Sequence, residues 1–263
     1  MEKETLRIAA VADIHVKKTG QGSMQPLFAR ATEEADVILL CGDLTDYGAV
    51  EEAKILAKEI TSSLRIPAIG VLGNHDFETG KQDEIVKILT DAGVTMLDGD
   101  VHEVDGVGFA GVKGFGGGFG RRQLGAWGEE IIKKFVHETI QEALKLEAAL
   151  ARLRTPQKIA IVHYAPIHAT TVGEPPEISP FLGSSRLEEP IDRYRVNAVF
   201  HGHAHRGSLE GRTKGNVPVY NVAMPLLAAT FADKLPFRVV EVPIGEPALE
   251  PSYNLAGATS GTR

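Results

Sequence analysis

The sequence predicts an α/β fold in which two β-sheets pack face to face between helix layers, and three observations lead there. Apolar, β-branched runs alternate with helical segments through the first half of the chain. Each of those runs ends in a polar cluster, and no internal repeat or shift in composition marks a second domain. A length of 263 residues, 43% hydrophobic and 24% charged, suits one domain with a large buried core.

The runs LRIAAVAD (6–13), DVILLCGD (36–43) and IPAIGVLGN (66–74) read as buried strands. Between and after them, MQPLFARATEEA (24–35), VEEAKILAKEITSSL (50–64) and DEIVKILTDAG (83–93) have helical character, with Gly93 placed as a C-terminal cap. This alternation predicts parallel βαβ units whose functional residues lie at the carboxyl ends of the strands. The second half is less regular. A long helix is expected over 127–153, then strands QKIAIVHY (157–164), NAVFHG (197–202), VPVYNVA (217–223) and FRVVEVP (237–243). These elements place a single domain over 1–245, and the Gly, Pro, Ala and Ser of 246–263 read as a loosely held tail.

A net charge of −7 and a pI near 5.7 argue against a whole-surface nucleic-acid footprint. The short apolar run at the N-terminus is interrupted by Asp13 and lacks both a spanning length and a signal-peptide pattern. The expectation is a soluble cytoplasmic protein with no membrane partner. Cys41, the single cysteine, excludes an intramolecular disulfide and reads as a small buried hydrophobe.

Chemistry-bearing residues collect at successive strand ends: Asp13 and His15 in ADIH, Asp43 and Asp46 in GDLTD, then Asn74, His75 and Asp76 in GNHD. His163 follows in VHYAP, and His203 and His205 in GHAH. Any one of them alone is a turn, cap or satisfied polar residue. Together they form a set of oxygen and imidazole donors without a thiolate, which suits divalent Mn, Fe or Zn.

The ordered series D-x-H, GD-x-x-D, GNH-D, H and GH-x-H, running from residue 13 to 205, resembles the calcineurin-like metallophosphoesterase superfamily. The resemblance implies a four-layer α/β/β/α sandwich with a two-metal site at the strand ends. It implies that Asp13, His15, Asp43 and His205 hold one ion, that Asp43, Asn74, His163 and His203 hold the other, and that Asp43 bridges. With two carboxylates among seven ligands, two divalent ions keep a net charge of about +2 that attracts a phosphate ester. The implied reaction is attack at phosphorus by a hydroxide bridging the two ions. His75 is implied as general acid or as a stabiliser of charge on the phosphoryl group. Asp46 occupies the acidic position that pairs with this histidine in some members, and a turn or cap role is its alternative. For Asp76 the cap reading is preferred.

Tyr47 stands where protein Ser/Thr phosphatases carry arginine, and Asp46 stands where purple acid phosphatases carry a tyrosine ligand. The motif style is nearer bacterial cyclic-nucleotide phosphodiesterases, so a small-molecule phosphodiester is the expected substrate. A phosphomonoesterase or nuclease of the same superfamily, and a non-catalytic protein-binding scaffold, are the alternatives.

The stretch GFGGGFGRR (114–122) fits neither nucleotide-loop pattern. It reads as a flexible substrate-side loop or a plain linker, with Phe115, Phe119 and Trp127 offered to a leaving group and Arg121 or Arg122 to its phosphate. His168 either lines the pocket or faces solvent. The loop-like segment 171–186 is expected to form a rim, and His102 and His137 to lie at the surface. His201 precedes the ligand motif and is expected to support the site or to make a core hydrogen bond.

Overall fold

A computed structural model describes residues 3–245; the tail expected over 246–263 lies outside them. One sheet has the order β11-β1-β2-β3-β4, built from β1 (Thr5–Val11), β2 (Val37–Cys41), β3 (Ala68–Val71), β4 (Val94–Met96) and β11 (Arg238–Pro243). Strands β1 to β4 pair in parallel, and β11 runs antiparallel to β1 with Leu6 opposite Val242. The other sheet has the order β5-β6-β7-β8-β10-β9. It comprises β5 (Asp100–Val104), β6 (Val107–Val112), β7 (Gln157–Val162), β8 (Ala198–His201), β9 (Glu210–Arg212) and β10 (Pro218–Asn221).

Strand periodicity explains the layering. Alternate side chains of a strand face opposite sides, so Ile8, Leu39 and Ile69 meet Phe109, Ile161 and Phe200 of the second sheet in an apolar interface between sheets. The intervening residues Ala9, Val11, Ile38 and Leu40 face α1 (Gln25–Glu34), α2 (Val50–Ser63) and α3 (Gln82–Asp91). On the far side, Ala110, Val162 and Val199 pack against α4 (Glu130–Arg152) and, after α5 (Ser179–Leu182), α6 (Ser185–Arg193). The result is the expected α/β/β/α order. Cys41 is buried at the sheet interface, as anticipated.

Helix α3 ends as its sequence indicates: Gly93 has φ +93° and its N–H donates to the Thr90 carbonyl. Strands β4, β5, β6 and β9 are additions to the expected set. The segment 171–186 is not a plain loop, since it contains α5, the start of α6 and a short 3-10 turn at Pro176–Ile178. A further helix, α7 (Met224–Thr230), follows β10. No described helix is long and apolar enough to cross a membrane.

Candidate active site

The loops after β1, β2, β3, β7 and β8 converge and carry every residue of the expected ligand set. Their backbone is unusual. Of seven described non-glycine residues with positive φ, four are Asp13 (56°), His15 (41°), Asp43 (49°) and His203 (69°), a conformation that costs energy and persists only where surroundings enforce it. Two glycines make the convergence possible. A Cβ on Gly73 would collide with the Asp43 carboxylate, and one on Gly202 with Ala12 and the Asp13 carboxylate.

Three groups of side chains bring potential ligand atoms within 4.8 Å of one another: Asp13, His15 and His205; His15, Asp43 and His75; Asp43, His163 and His203. The first and third each bring together three of the four residues expected around one ion, the first without Asp43 and the third without Asn74, and Asp43 stands in two of the three groups. Asn74 joins the third, its Oδ1 3.0 Å from His163 Nε2. Asp13 is fully buried and accepts the His203 backbone N–H at 2.9 Å, while its Oδ1 lies 2.9 Å from His205 Nε2. Asp43 Oδ1 accepts the His75 N–H at 2.8 Å and lies 3.3 Å from His163 Nε2.

The histidines present defined nitrogens. His163 Nδ1 donates to the Cys41 carbonyl at 3.0 Å, which leaves Nε2 turned toward Asp43 and Asn74. His203 Nε2 donates to the Phe181 carbonyl at 3.1 Å, leaving Nδ1 for a ligand. The decisive observation is His15, whose Nδ1 and Nε2 are both buried and make no hydrogen bond. A buried imidazole without partners is costly, and a metal ion would satisfy the nitrogen that carries the lone pair. The residues present therefore fit divalent metal.

Electrostatics agree. Burial would raise the Asp43 carboxyl, yet the His163 charge and hydrogen bonds hold it well below the usual range. Burial opposes protonation of His163, but the Asp43 carboxylate prevails and pushes it up to about 9. His203 is pushed down to about 4, chiefly by burial, and burial likewise lowers His15. The Asp13 hydrogen bond raises His205.

His75 begins a 3-10 turn (His75–Phe77), and its ring centroid lies 4.6 Å from that of His15. The expected pairing with Asp46 is altered: His75 Nδ1 donates to the Asp46 backbone carbonyl at 2.7 Å. The Asp46 carboxylate points elsewhere, 3.6 Å from His15 Nδ1 and 4.0 Å from Lys17 Nζ. The cause is local, because the Asp46 N–H is tied to the Val16 carbonyl and Glu52 holds the N–H groups of Tyr47 and Ala49, turning the carbonyl toward His75.

Asp76 is a second correction. It caps no helix; it is fully buried and accepts from the N–H groups of Gly73, Leu44 and Thr45 and from Thr45 Oγ1 at 2.6–3.2 Å. It ties the loop carrying Asp43 to the loop carrying Asn74 and His75. Burial, with Asp43 nearby, raises its carboxyl.

The glycine segment, expected to be flexible, is hydrogen-bonded to its surroundings. Gly114 N–H donates to Glu142, Gly117 N–H to the Pro180 carbonyl, and Gly118 exchanges backbone hydrogen bonds with Gly183 and Ser185. Phe115 packs against Phe135 and Tyr164, while Trp127 is exposed. Arg121 and Arg122 stand exposed on a 3-10 turn (Gly120–Arg122), outside the ligand groups. His168 is exposed and packs edge-on to Phe119, their centroids 5.6 Å apart. His137 is exposed and His102 half-buried. His201 is fully buried: Nδ1 donates to the Gly202 carbonyl and Nε2 pairs with Thr170 Oγ1, both at 2.8 Å, so it locks the end of β8 to a neighbouring turn.

The fold is that of known structures. A phosphopantetheinyl hydrolase from Mycobacterium tuberculosis aligns with a TM-score of 0.62 at 16% identity, over 94% of this chain and 97% of that one. Protein TT1561 of Thermus thermophilus aligns with a TM-score of 0.54 at 15% identity, over 92% of this chain and 100% of that one. No curated protein is significantly similar in sequence. The family model for calcineurin-like phosphoesterases matches residues 6–207, and this chain belongs to that family.

Proposed function

We propose that the chain hydrolyses small-molecule phosphate esters, phosphodiesters foremost, with two divalent metal ions held by Asp13, His15, Asp43, Asn74, His163, His203 and His205. Family membership supports a metal-dependent phosphoesterase. One observation supports the two-ion reading: His15, buried with neither nitrogen hydrogen-bonded, belongs to one donor group with Asp13 and His205 and to another with Asp43 and His75, and Asp43 belongs in turn to the group of His163 and His203. Divalent ions bound there supply Lewis acidity to the phosphoryl oxygens and lower the pKa of a coordinated water.

The chain's own residues do the rest. Asp43 presents Oδ1 toward His163 and Oδ2 toward His15, so its carboxylate would be placed to serve ions on both sides. The Cys41 and Phe181 carbonyls fix which nitrogen His163 and His203 offer. His75, its Nδ1 spent on the Asp46 carbonyl, keeps Nε2 for a proton or hydrogen bond to the leaving-group oxygen. The name of the mycobacterial neighbour, a phosphopantetheinyl hydrolase, favours an ester with an organic chain as an alternative to a cyclic nucleotide.

The test is to strip the protein with EDTA, restore Mn, Fe or Zn, and assay cyclic nucleotides, linear aryl diesters, nucleotides and sugar phosphates. Activity is expected to vanish on chelation and to return with metal. Activity that survives full chelation overturns the reading.

A further inference from the structure

A cavity of about 380 Å³, within the size range of small-ligand sites, is lined in part by residues that adjoin those of the metal groups. It is joined to them twice. Phe77, in its wall, ends the turn that His75 begins. Lys113, also in its wall, accepts at its carbonyl the N–H groups of His163 (2.9 Å) and Tyr164 (3.1 Å).

Leu72, Phe77, Val86, Met96 and Leu97 make half of this wall apolar, and two of its polar groups are unfinished. Gln82 Oε1 is buried and accepts no hydrogen bond. Lys113 Nζ donates to the Gly114 carbonyl at 2.8 Å, one acceptor for three donor hydrogens. Aromatic rings surround it, with the Phe115, Tyr164 and Phe77 centroids at 4.8, 5.4 and 5.6 Å. The neighbouring acid, Glu142, is already engaged by Lys145 and by the Gly114 N–H, so it does not complete Lys113. Asp83, Asp98 and Asp100 also line the cavity, which disfavours a second phosphate there.

We propose that this cavity holds the organic half of the ester by an amide-type edge, an acceptor beside an N–H donor on an otherwise apolar body. Lys113 donates to the acceptor and Gln82 Oε1 takes the N–H. Leaving either group unmet would cost free energy, so the pair selects against esters that lack such an edge. A nucleobase and the amide of a chain such as pantetheine share this chemistry. The inference rests on the phosphoesterase reading, since it makes the cavity the seat of the group beside the scissile phosphate.

Wild type, Lys113→Met and Gln82→Leu, each loaded with Mn, are compared on cyclic AMP, pantetheine phosphate and bis(para-nitrophenyl) phosphate. In both variants the ratio of kcat/KM for an edge-bearing ester to that for the nitrophenyl ester is expected to fall about ten-fold or more, the worth of one buried hydrogen bond. A fall for cyclic AMP alone identifies a nucleobase; a fall for the pantetheine ester alone identifies a chain amide. Unchanged ratios for both overturn the proposal. Adenosine and pantetheine, which carry no phosphate, are titrated in parallel into metal-free protein. Binding weakened in both variants while no ester is hydrolysed supports the cavity and defeats the phosphoesterase reading. No binding together with unchanged ratios defeats the cavity.

Discussion

His75 and His163 look alike in sequence, each soon after an apolar run, but their surroundings differ. His75 is half-buried with one nitrogen spent on a carbonyl, whereas His163 is fully buried against Asp43. His75→Ala is expected to keep both ions while slowing turnover about 100-fold or more, the usual yield of general acid-base help, and most for esters with poor leaving groups. Metal analysis together with a leaving-group series checks this; lost metal would make His75 a ligand, as its place beside His15 and Asp43 permits. His163 without metal is pushed up to about 9 by Asp43 and so carries a proton at neutral pH. An arriving ion takes the place of that proton. Apparent affinity is therefore expected to rise with pH up to about 9 and then to flatten. Calorimetry in buffers of different ionisation enthalpy should count the proton released on Mn binding, and zero release would contradict the assignment.

At the scale of elements, the loops after β2 and β3 are held together by Asp76, which receives four hydrogen bonds from them. Asp76→Ala strands those buried donors and is expected to cost roughly 3 kcal/mol of stability, seen as a lower urea midpoint with the same slope. Weaker metal retention should accompany it, because Asp43 and Asn74 lose their mutual register; a variant as stable and metal-replete as wild type would dismiss the brace. No sequence cue separated this brace from an ordinary cap, since a carboxylate beside a strand end looks the same in both roles. Strands β1, β2, β3, β7, β8, β10 and β11 were legible because each is an uninterrupted apolar run or a β-branched one. Strand β6 was not, because VGFAGV is built of small residues and glycine that read as turn, and β9 is a three-residue polar edge, EGR. The glycine segment misled for the opposite reason. Its composition suggests mobility, but its N–H groups are used by Glu142, Pro180 and Gly183. The donor types and their order along the chain were readable for the site. The left-handed backbone at Asp13, His15, Asp43 and His203, and the use of the Asp46 carbonyl in place of its carboxylate, depend on contacts between distant segments that spacing does not carry.

Taken as a whole, the molecule places its site where the two sheets meet. Asp13, His15, Asp43 and Asn74 follow strands of the first sheet, and His163, His203 and His205 follow strands of the second. These seven donors, spread from residue 13 to residue 205, are far apart in an unfolded chain. On the proposed assignment, ions held by all of them would bind the folded state alone and fasten one sheet to the other, so metal binding would appear as stability. At a free ion concentration about 100 times Kd, one site adds about 2.7 kcal/mol. For a domain of this size each kcal/mol moves Tm by about 2–4 °C, so a rise of roughly 5–10 °C per ion is expected in Mn over EDTA. Asp43→Asn removes the charge proposed to be shared by the two ions and should lose most of that rise, together with two-ion occupancy and turnover. Scanning calorimetry of both proteins in Mn and in EDTA decides the matter. Equal Tm values in the two buffers would show that metal does not join the sheets, and a full rise in Asp43→Asn would place the stabilising ion away from the shared carboxylate.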